Sequence, residues 1–235
     1  MIYAFFKNPD IQLEQNKPFS GALKDLFTTL FYTYLVLFIN YMAVGLIDLA
    51  IKSNTGFSFM DAIDRAQKEA SYQNSILTFL IFGPIVEELI FRLPLVVNRL
   101  NIFIALIFAY LLFYVCHGYD ASTIVINEVL KFLAFSLACL GAVFLLKKRF
   151  LMLISEKYFK IYFYSITLIF GFLHIRNFID LVPQNLIFLS EIFAIHQVIS
   201  GFFLGYIRLK RGLVWSVLLH FLFNLPPTIA YFMHK

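Results

Sequence analysis

The sequence predicts an all-α protein, a polytopic transmembrane helical bundle of about seven spans. Of its 235 residues, 61% are hydrophobic and only 14% are charged, and the mean hydropathy is +0.81. Soluble domains carry about 25% charged residues, so this composition excludes an ordinary soluble protein. Six or eight spans are also open, because two of the stretches contain polar residues. The apolar stretches lie at 26–51, 75–97, 101–118, 122–146, 158–178, 184–207 and 212–233.

In chain order, the sequence divides into an N-terminal part and a larger core. Residues 1–72 comprise a short start, which we expect to be an interfacial amphipathic segment, then the first span and a polar connector. The connector at 52–74 is the one stretch with a soluble composition, and it predicts a surface helix. Residues 73–230 hold the remaining spans, joined by short loops, and we expect the functional core here.

The positive charge of the chain is explained by membrane topology. The formal net charge is +5, and 12 of the 19 Lys and Arg residues fall on the side of the predicted bundle that holds the N-terminus. The positive-inside rule therefore predicts an integral membrane protein with a cytoplasmic N-terminus. No nucleic-acid partner is implied. Cys116 and Cys139 both lie in apolar stretches, which supports neither a disulfide framework nor a cysteine metal site.

Ionisable residues inside the spans are the strongest indication of function. Glu87, Glu88 and Arg92 occur together in the second span, where charged groups are costly and usually pair or line a cavity. Glu88 and Arg92 are four residues apart with the acid first, the favourable orientation for an ion pair on one helix face. Glu87 lies about 100° around the helix. Glu88 is therefore the better anchor, and Glu87 the better general base.

Two later spans contribute histidines. His174 shares a helix face with Phe170, and His220 shares a face with Asn224. A glutamate pair together with two histidines can activate water for hydrolysis. The neutral amide of Asn224 is a poor zinc ligand but can donate a hydrogen bond to a developing oxyanion.

Three ordered motifs in these spans resemble those of the CPBP family of intramembrane proteases. This family comprises CAAX-prenyl endopeptidases of the Ras-converting-enzyme type and bacteriocin-processing and immunity proteins. The resemblance covers about residues 75–230. The motifs are Glu87-Glu88-x-x-x-Arg92, Phe170-x-x-x-His174 and His220-x-x-x-Asn224.

The resemblance implies an intramembrane endopeptidase in a bacterial cytoplasmic membrane. Its substrate would be a membrane-embedded or lipidated peptide or protein, reached within the lipid bilayer. By position, the resemblance assigns water activation to Glu87 and His174, oxyanion stabilisation to His220 and Asn224, and support of the site to Glu88 and Arg92.

The cofactor is left open by the sequence. Glu87, His174 and His220 could form a His₂Glu zinc site with one position free for water. The same three side chains could equally run a metal-free glutamate and histidine mechanism.

Two further site assignments are also open. Phe113-x-x-x-His117 also fits the second motif, so His117 is the reserve for His174, which is preferred because its surroundings, FGFLHIRNF, resemble the family more closely. Gln197 is a candidate for lining the cavity.

Other functional classes remain as alternatives to an enzyme. The same fold could serve as a non-catalytic bacteriocin-immunity or membrane scaffold protein. Acid and histidine pairs also relay protons in transporters, although no inverted repeat of the kind common in such carriers is visible in the sequence.

Overall fold

A computed structural model describes residues 2–10, 18–116 and 126–233, and within these ranges the protein is helical and contains no β-strand. The predicted all-α class is therefore confirmed for the described residues. Short 3₁₀ and π-helical turns join the α-helices. The α-helices are α1 (Ile2–Lys7), α2 (Phe19–Thr55), α3 (Phe59–Gln73), α4 (Gly83–Phe91), α5 (Arg99–Cys116), α6 (Ile126–Leu145), α7 (Lys148–Glu156), α8 (Phe159–Leu173), α9 (Ser190–Arg211) and α10 (Leu213–Met233).

Three helical segments in the described ranges are long and apolar enough to cross a membrane. They are Phe19–Thr55, Gln184–Arg211 and Leu213–Met233. A fourth span results if Leu130–Leu145 and Lys148–Glu156 are taken together, although the two helices meet at a bend of 79°. These segments indicate a membrane-embedded protein. The predicted total of seven spans is not confirmed.

Two of the predicted spans are shorter than a bilayer requires. The stretch at 158–178 contains α8, whose 15 residues measure about 22 Å, against a hydrocarbon core of about 30 Å. The stretch at 75–97 divides into a π-helical turn (Thr78–Phe82), the nine-residue α4 and a 3₁₀ turn. Pro84 is tolerated in the first turn of α4. Pro94 disfavours a helical conformation in the residue before it, so α4 ends early.

Helix α9 lies at the centre of the bundle and packs against α2, α8 and α10. At one end of the bundle, Phe5 of α1 packs edge-on against Phe163 and Tyr206, with ring centroids 5.4 and 5.1 Å apart. Phe5 is buried there. The N-terminal helix thus packs on the bundle through Phe5, and its predicted position at the membrane interface stays a prediction. At the other end, Phe59 of α3 stacks on Phe193 at 4.2 Å.

Helices α8 and α9 approach each other closely because glycines line their contact. A Cβ atom on Gly171 would lie 2.8 Å from the backbone nitrogen of Val198, and one on Gly205 would lie 2.6 Å from the Phe163 ring. Neither position has room for a side chain. This close packing holds the C-terminal end of α8, where His174 follows Leu173, firmly against the central helix.

Basic residues at the C-terminal end of α9 join it to the start of α2. Lys210 Nζ lies 3.0 Å from Asp25 Oδ1, and Arg211 Nε donates to Asp25 Oδ2 at 2.7 Å. The connector after α2 forms helix α3, as predicted, and Ser58 caps its N-terminus by accepting from the Asp61 backbone N–H.

Candidate active site

The structure brings together one residue from each of the three motifs. Glu87 lies on α4, His174 directly follows α8, and His220 lies on α10. Glu87 Oε2 is 3.8 Å from His174 Nε2 and 3.7 Å from His220 Nε2. These distances exceed a direct hydrogen bond. Glu87 Oε2 is itself buried and has no hydrogen-bond partner among the described residues.

Hydrogen bonds at the far side of each imidazole fix which nitrogen faces Glu87. His174 Nδ1 lies 2.8 Å from the Phe170 carbonyl, and His220 Nδ1 lies 3.0 Å from Glu88 Oε1. Both partners accept, so each Nδ1 carries the proton, a tautomer assigned from the network. In the neutral rings, both Nε2 atoms are then acceptors. Three acceptor atoms face one another, an arrangement that calls for a proton donor such as water between them.

Glu88 has the opposite environment. It is fully buried, and its carboxylate accepts a short hydrogen bond from Ser216 Oγ and a second from His220 Nδ1. Arg92 Nε is 3.6 Å from Glu88 Oε1, so the predicted ion pair is present at a distance longer than a hydrogen bond. Glu88 thus links α4 to α10 and orients the His220 ring toward Glu87.

Arg92 is almost completely buried and lies over an aromatic ring. Its guanidinium carbon is 3.7 Å from the ring centroid of Phe170, a cation–π distance. The two terminal nitrogens have no hydrogen-bond partner among the described residues. The backbone carbonyl of Arg92 accepts from Arg208 Nε at 2.9 Å. Arg208 therefore satisfies a carbonyl at the C-terminal end of α4, where a cation is favourable.

Sequence reasoning missed two residues that build this site. Ser216 precedes His220 by four residues and Asn224 by eight, so the three share one face of α10, and this spacing was a usable signal. Arg208 carried no comparable signal, because its contact with α4 joins residues 116 positions apart.

The other predicted site residues are not joined to this cluster. Asn224 Nδ2 donates to the Phe79 carbonyl at 3.3 Å, in the π-helical turn before α4. Gln197 Oε1 lies 3.4 Å from Ser200 Oγ of its own helix. His117, the alternative to His174, lies outside the described residues. The predicted oxyanion role of Asn224 would require its amide to exchange the Phe79 carbonyl for substrate.

The described side chains do not by themselves identify a zinc site. Imidazole nitrogens and a carboxylate oxygen are ligands that zinc accepts. Across the described ranges, however, no group of three or more His, Cys, Asp or Glu side chains is arranged to hold a metal ion.

The fold and the site define a membrane-embedded, all-helical protein with an interior cluster of Glu87, His174 and His220. No model of a known protein family matches the chain, and no curated protein and no solved structure matches it either. The resemblance to the CPBP family thus rests on the three motifs and stays a prediction.

Proposed function

We propose that this protein is an intramembrane endopeptidase that hydrolyses a peptide bond of a membrane-embedded or lipidated substrate. The observation that carries the proposal is the environment of Glu87 Oε2. This carboxylate oxygen is buried without a hydrogen-bond partner among the described residues, and two histidine Nε2 atoms from other helices lie within 3.8 Å of it. Burial of an unsatisfied carboxylate oxygen is costly and is retained mainly where it has a task.

In the proposed reaction, Glu87 acts as the general base. A water molecule between Glu87 and His174 gives a proton to the carboxylate, and its oxygen bonds to the substrate carbonyl carbon. The carbonyl oxygen becomes an oxyanion. The carbon–nitrogen bond then breaks, and the departing amine takes the proton from Glu87. Proton transfer of this kind contributes about 10²–10⁴-fold to the rate.

His220 suits the role of oxyanion donor. Glu88 Oε1 accepts a hydrogen bond from His220 Nδ1 and so turns Nε2 toward Glu87, and in the doubly protonated ring Nε2–H would donate to the oxyanion. Loss of one such donor typically lowers kcat by about 10²–10³-fold. His174 Nε2, turned toward Glu87 by the Phe170 carbonyl, would hold the attacking water on the opposite side.

The motif resemblance supports the enzyme over a scaffold on the same fold, since every motif position is present. The geometry supports it as well. In a purely structural pair, both carboxylates would be expected to have partners, as Glu88 has, whereas Glu87 Oε2 has none among the described residues.

The test compares the protein termini in membranes of cells that express the wild type, Glu87→Gln or Glu191→Gln. Glu191 is exposed on α9, so its substitution is a matched control. We expect new termini with the wild type and the control, and none with Glu87→Gln at equal protein levels. If Glu87→Gln produced the same termini as the wild type, the site assignment would fail. If no protein produced any, an immunity or scaffold role would replace the enzyme.

A further inference from the structure

A sharp corner between α6 and α7 turns the chain away from the direction of a membrane span. The two helices meet at 79°. Arg99 Nη2 fixes the corner by donating to the Leu146 carbonyl at 2.6 Å, and its guanidinium lies 5.7 Å from the Phe144 ring centroid. If α6 runs along the membrane normal, α7 runs nearly parallel to the membrane surface.

Exposed cations surround this helix without acidic partners. Five basic residues lie in or beside α7, and Glu156 is the one acid among them. The structure shows no ion pair between these cations and any described acidic side chain. Basic residues in the first turn of a helix oppose its dipole, so helix stability does not explain their placement. The five are Lys147, Lys148, Arg149, Lys157 and Lys160, all exposed.

The apolar residues of α7 match a position at the membrane interface. Leu151 is buried on the side that faces the bundle. Met152 and Leu153 are 45% and 41% exposed, next to Lys148 and Arg149. A helix with cations and exposed apolar side chains on its outer surface suits the boundary between headgroups and acyl chains.

We propose that α7 and its flanking lysines bind the headgroups of anionic phospholipids. Charge complementarity selects this occupant, because clustered Lys and Arg beside a membrane span are attracted to anionic lipid surfaces. The seven-span topology predicted from the sequence would place the cluster on the cytoplasmic side, which is the anionic surface. This inference is independent of the proposed protease activity.

The test measures retention of phosphatidylglycerol and of phosphatidylcholine by the full-length protein in detergent, using mass spectrometry. One variant combines Lys147→Gln, Lys148→Gln and Arg149→Gln. The matched control combines Lys52→Gln, Arg65→Gln and Lys68→Gln, which removes the same charge around α3 and the end of α2. We expect a loss of phosphatidylglycerol affinity of about fivefold for each charge removed from α7, up to about a hundredfold for three. The control should bind as the wild type does.

Four results would overturn the proposal. They are equal retention of both lipids by the wild type, unchanged retention by the α7 variant, an equal loss in the control, and displacement of the lipid by inorganic phosphate. If the triple variant did not fold, the single changes Lys148→Gln and Arg149→Gln would be compared with Lys148→Arg and Arg149→Lys. The glutamine variants should then lose several-fold in affinity and the charge-conserving variants should not, and equal binding by both pairs would refute the inference.

Discussion

The two carboxylates of the site, Glu87 and Glu88, have opposite environments although they are neighbours in the sequence. Glu88 is fully buried and is held by Ser216, His220 and Arg92. Glu87 Oε2 is also buried, yet it has no hydrogen bond among the described residues and faces two histidines at 3.7–3.8 Å. The Glu88 carboxylate is hydrogen-bonded by two side chains, whereas Glu87 Oε2 has no hydrogen-bond donor among the described residues.

This difference shows how one helix can carry both an anchoring carboxylate, Glu88, and a carboxylate that is free to react, Glu87. A satisfied buried network fixes geometry, and here it orients His220 through its Nδ1 atom. The neighbouring Glu87 Oε2 is positioned by the same helix without a hydrogen bond from Arg92, whose Nε lies 3.6 Å from Glu88 Oε1. Because the two acids project in different directions from α4, substitutions can separate stability from activity.

The largest expected effect is on activity. Glu87→Gln keeps the shape of the side chain and removes the base, so cleavage should fall by about 10²–10⁴-fold. Its melting temperature should stay close to that of the wild type, because no hydrogen bond of the described residues is lost. Turnover of a substrate identified from the membrane termini measures the cleavage activity. Thermal unfolding in detergent measures the melting temperature. Wild-type turnover would place the base elsewhere.

The next effect is on stability. Arg92→Ala leaves Glu88 without its cation in the interior, and the loss of one partner from a buried ion pair costs about 3–5 kcal/mol. We expect a low yield of folded protein and a much lower melting temperature. Arg176→Ala, at an exposed arginine, is the control and should be neutral. An Arg92→Ala protein as stable as this control would show that Glu88 does not depend on the ion pair.

The two histidines give a finer comparison, because His220 lies next to both Glu88 and Glu87, whereas His174 lies next to Glu87. Both alanine variants should lose cleavage. His220→Ala also leaves Glu88 Oε1 without its hydrogen bond and should cost about 1–3 kcal/mol. His174→Ala removes the hydrogen bond to the Phe170 carbonyl at a half-buried position and should lower the free energy of unfolding by less. Chemical denaturation of the two variants measures the difference, and equal costs would contradict the distinct roles.

The smallest effect concerns a third carboxylate, Asp61 on α3, which is exposed to solvent. A hydrogen bond from Lys52 Nζ at 2.8 Å holds the pKa of Asp61 below its usual value of 3.8. Because the folded pKa is the lower one, the contribution to stability is present above pH 3.8 and is lost as the pH falls through the folded pKa. Asp61→Asn should therefore lower the melting temperature slightly at pH 7 and not in strong acid. If the difference in melting temperature between the wild type and Asp61→Asn grew as the pH fell, the predicted direction of the pH dependence would be wrong.

Much of the fold could be predicted because hydropathy reports directly on long apolar helices. The stretches at 26–51, 184–207 and 212–233 match helical segments that could span a membrane. The stretches at 75–97 and 158–178 were expected to be full spans and contain helices of nine and 15 residues. Hydropathy does not distinguish a continuous helix from apolar residues divided among short turns.

The site could be predicted only as far as local spacing reaches. The pairing of Glu88 with Arg92 follows from four-residue spacing on one helix. The bond from Ser216 to Glu88 joins residues 128 positions apart, and the bond from Asn224 to Phe79 joins residues 145 apart. Such contacts depend on how α4 and α10 are packed. No spacing rule encodes this packing.

The glycine contacts between α8 and α9 have a mechanical consequence. Because neither Gly171, next to Val198, nor Gly205, next to the Phe163 ring, has room for a side chain, the two helices are packed backbone against side chain along this contact. His174 is therefore carried on a rigid pair of helices. Glu87 lies on a helix of nine residues that is bounded by a π-helical turn and a 3₁₀ turn. We expect the contact between α8 and α9 to keep His174 in place, and the hydrogen bonds of Glu88 to keep α4, and with it Glu87, beside α10.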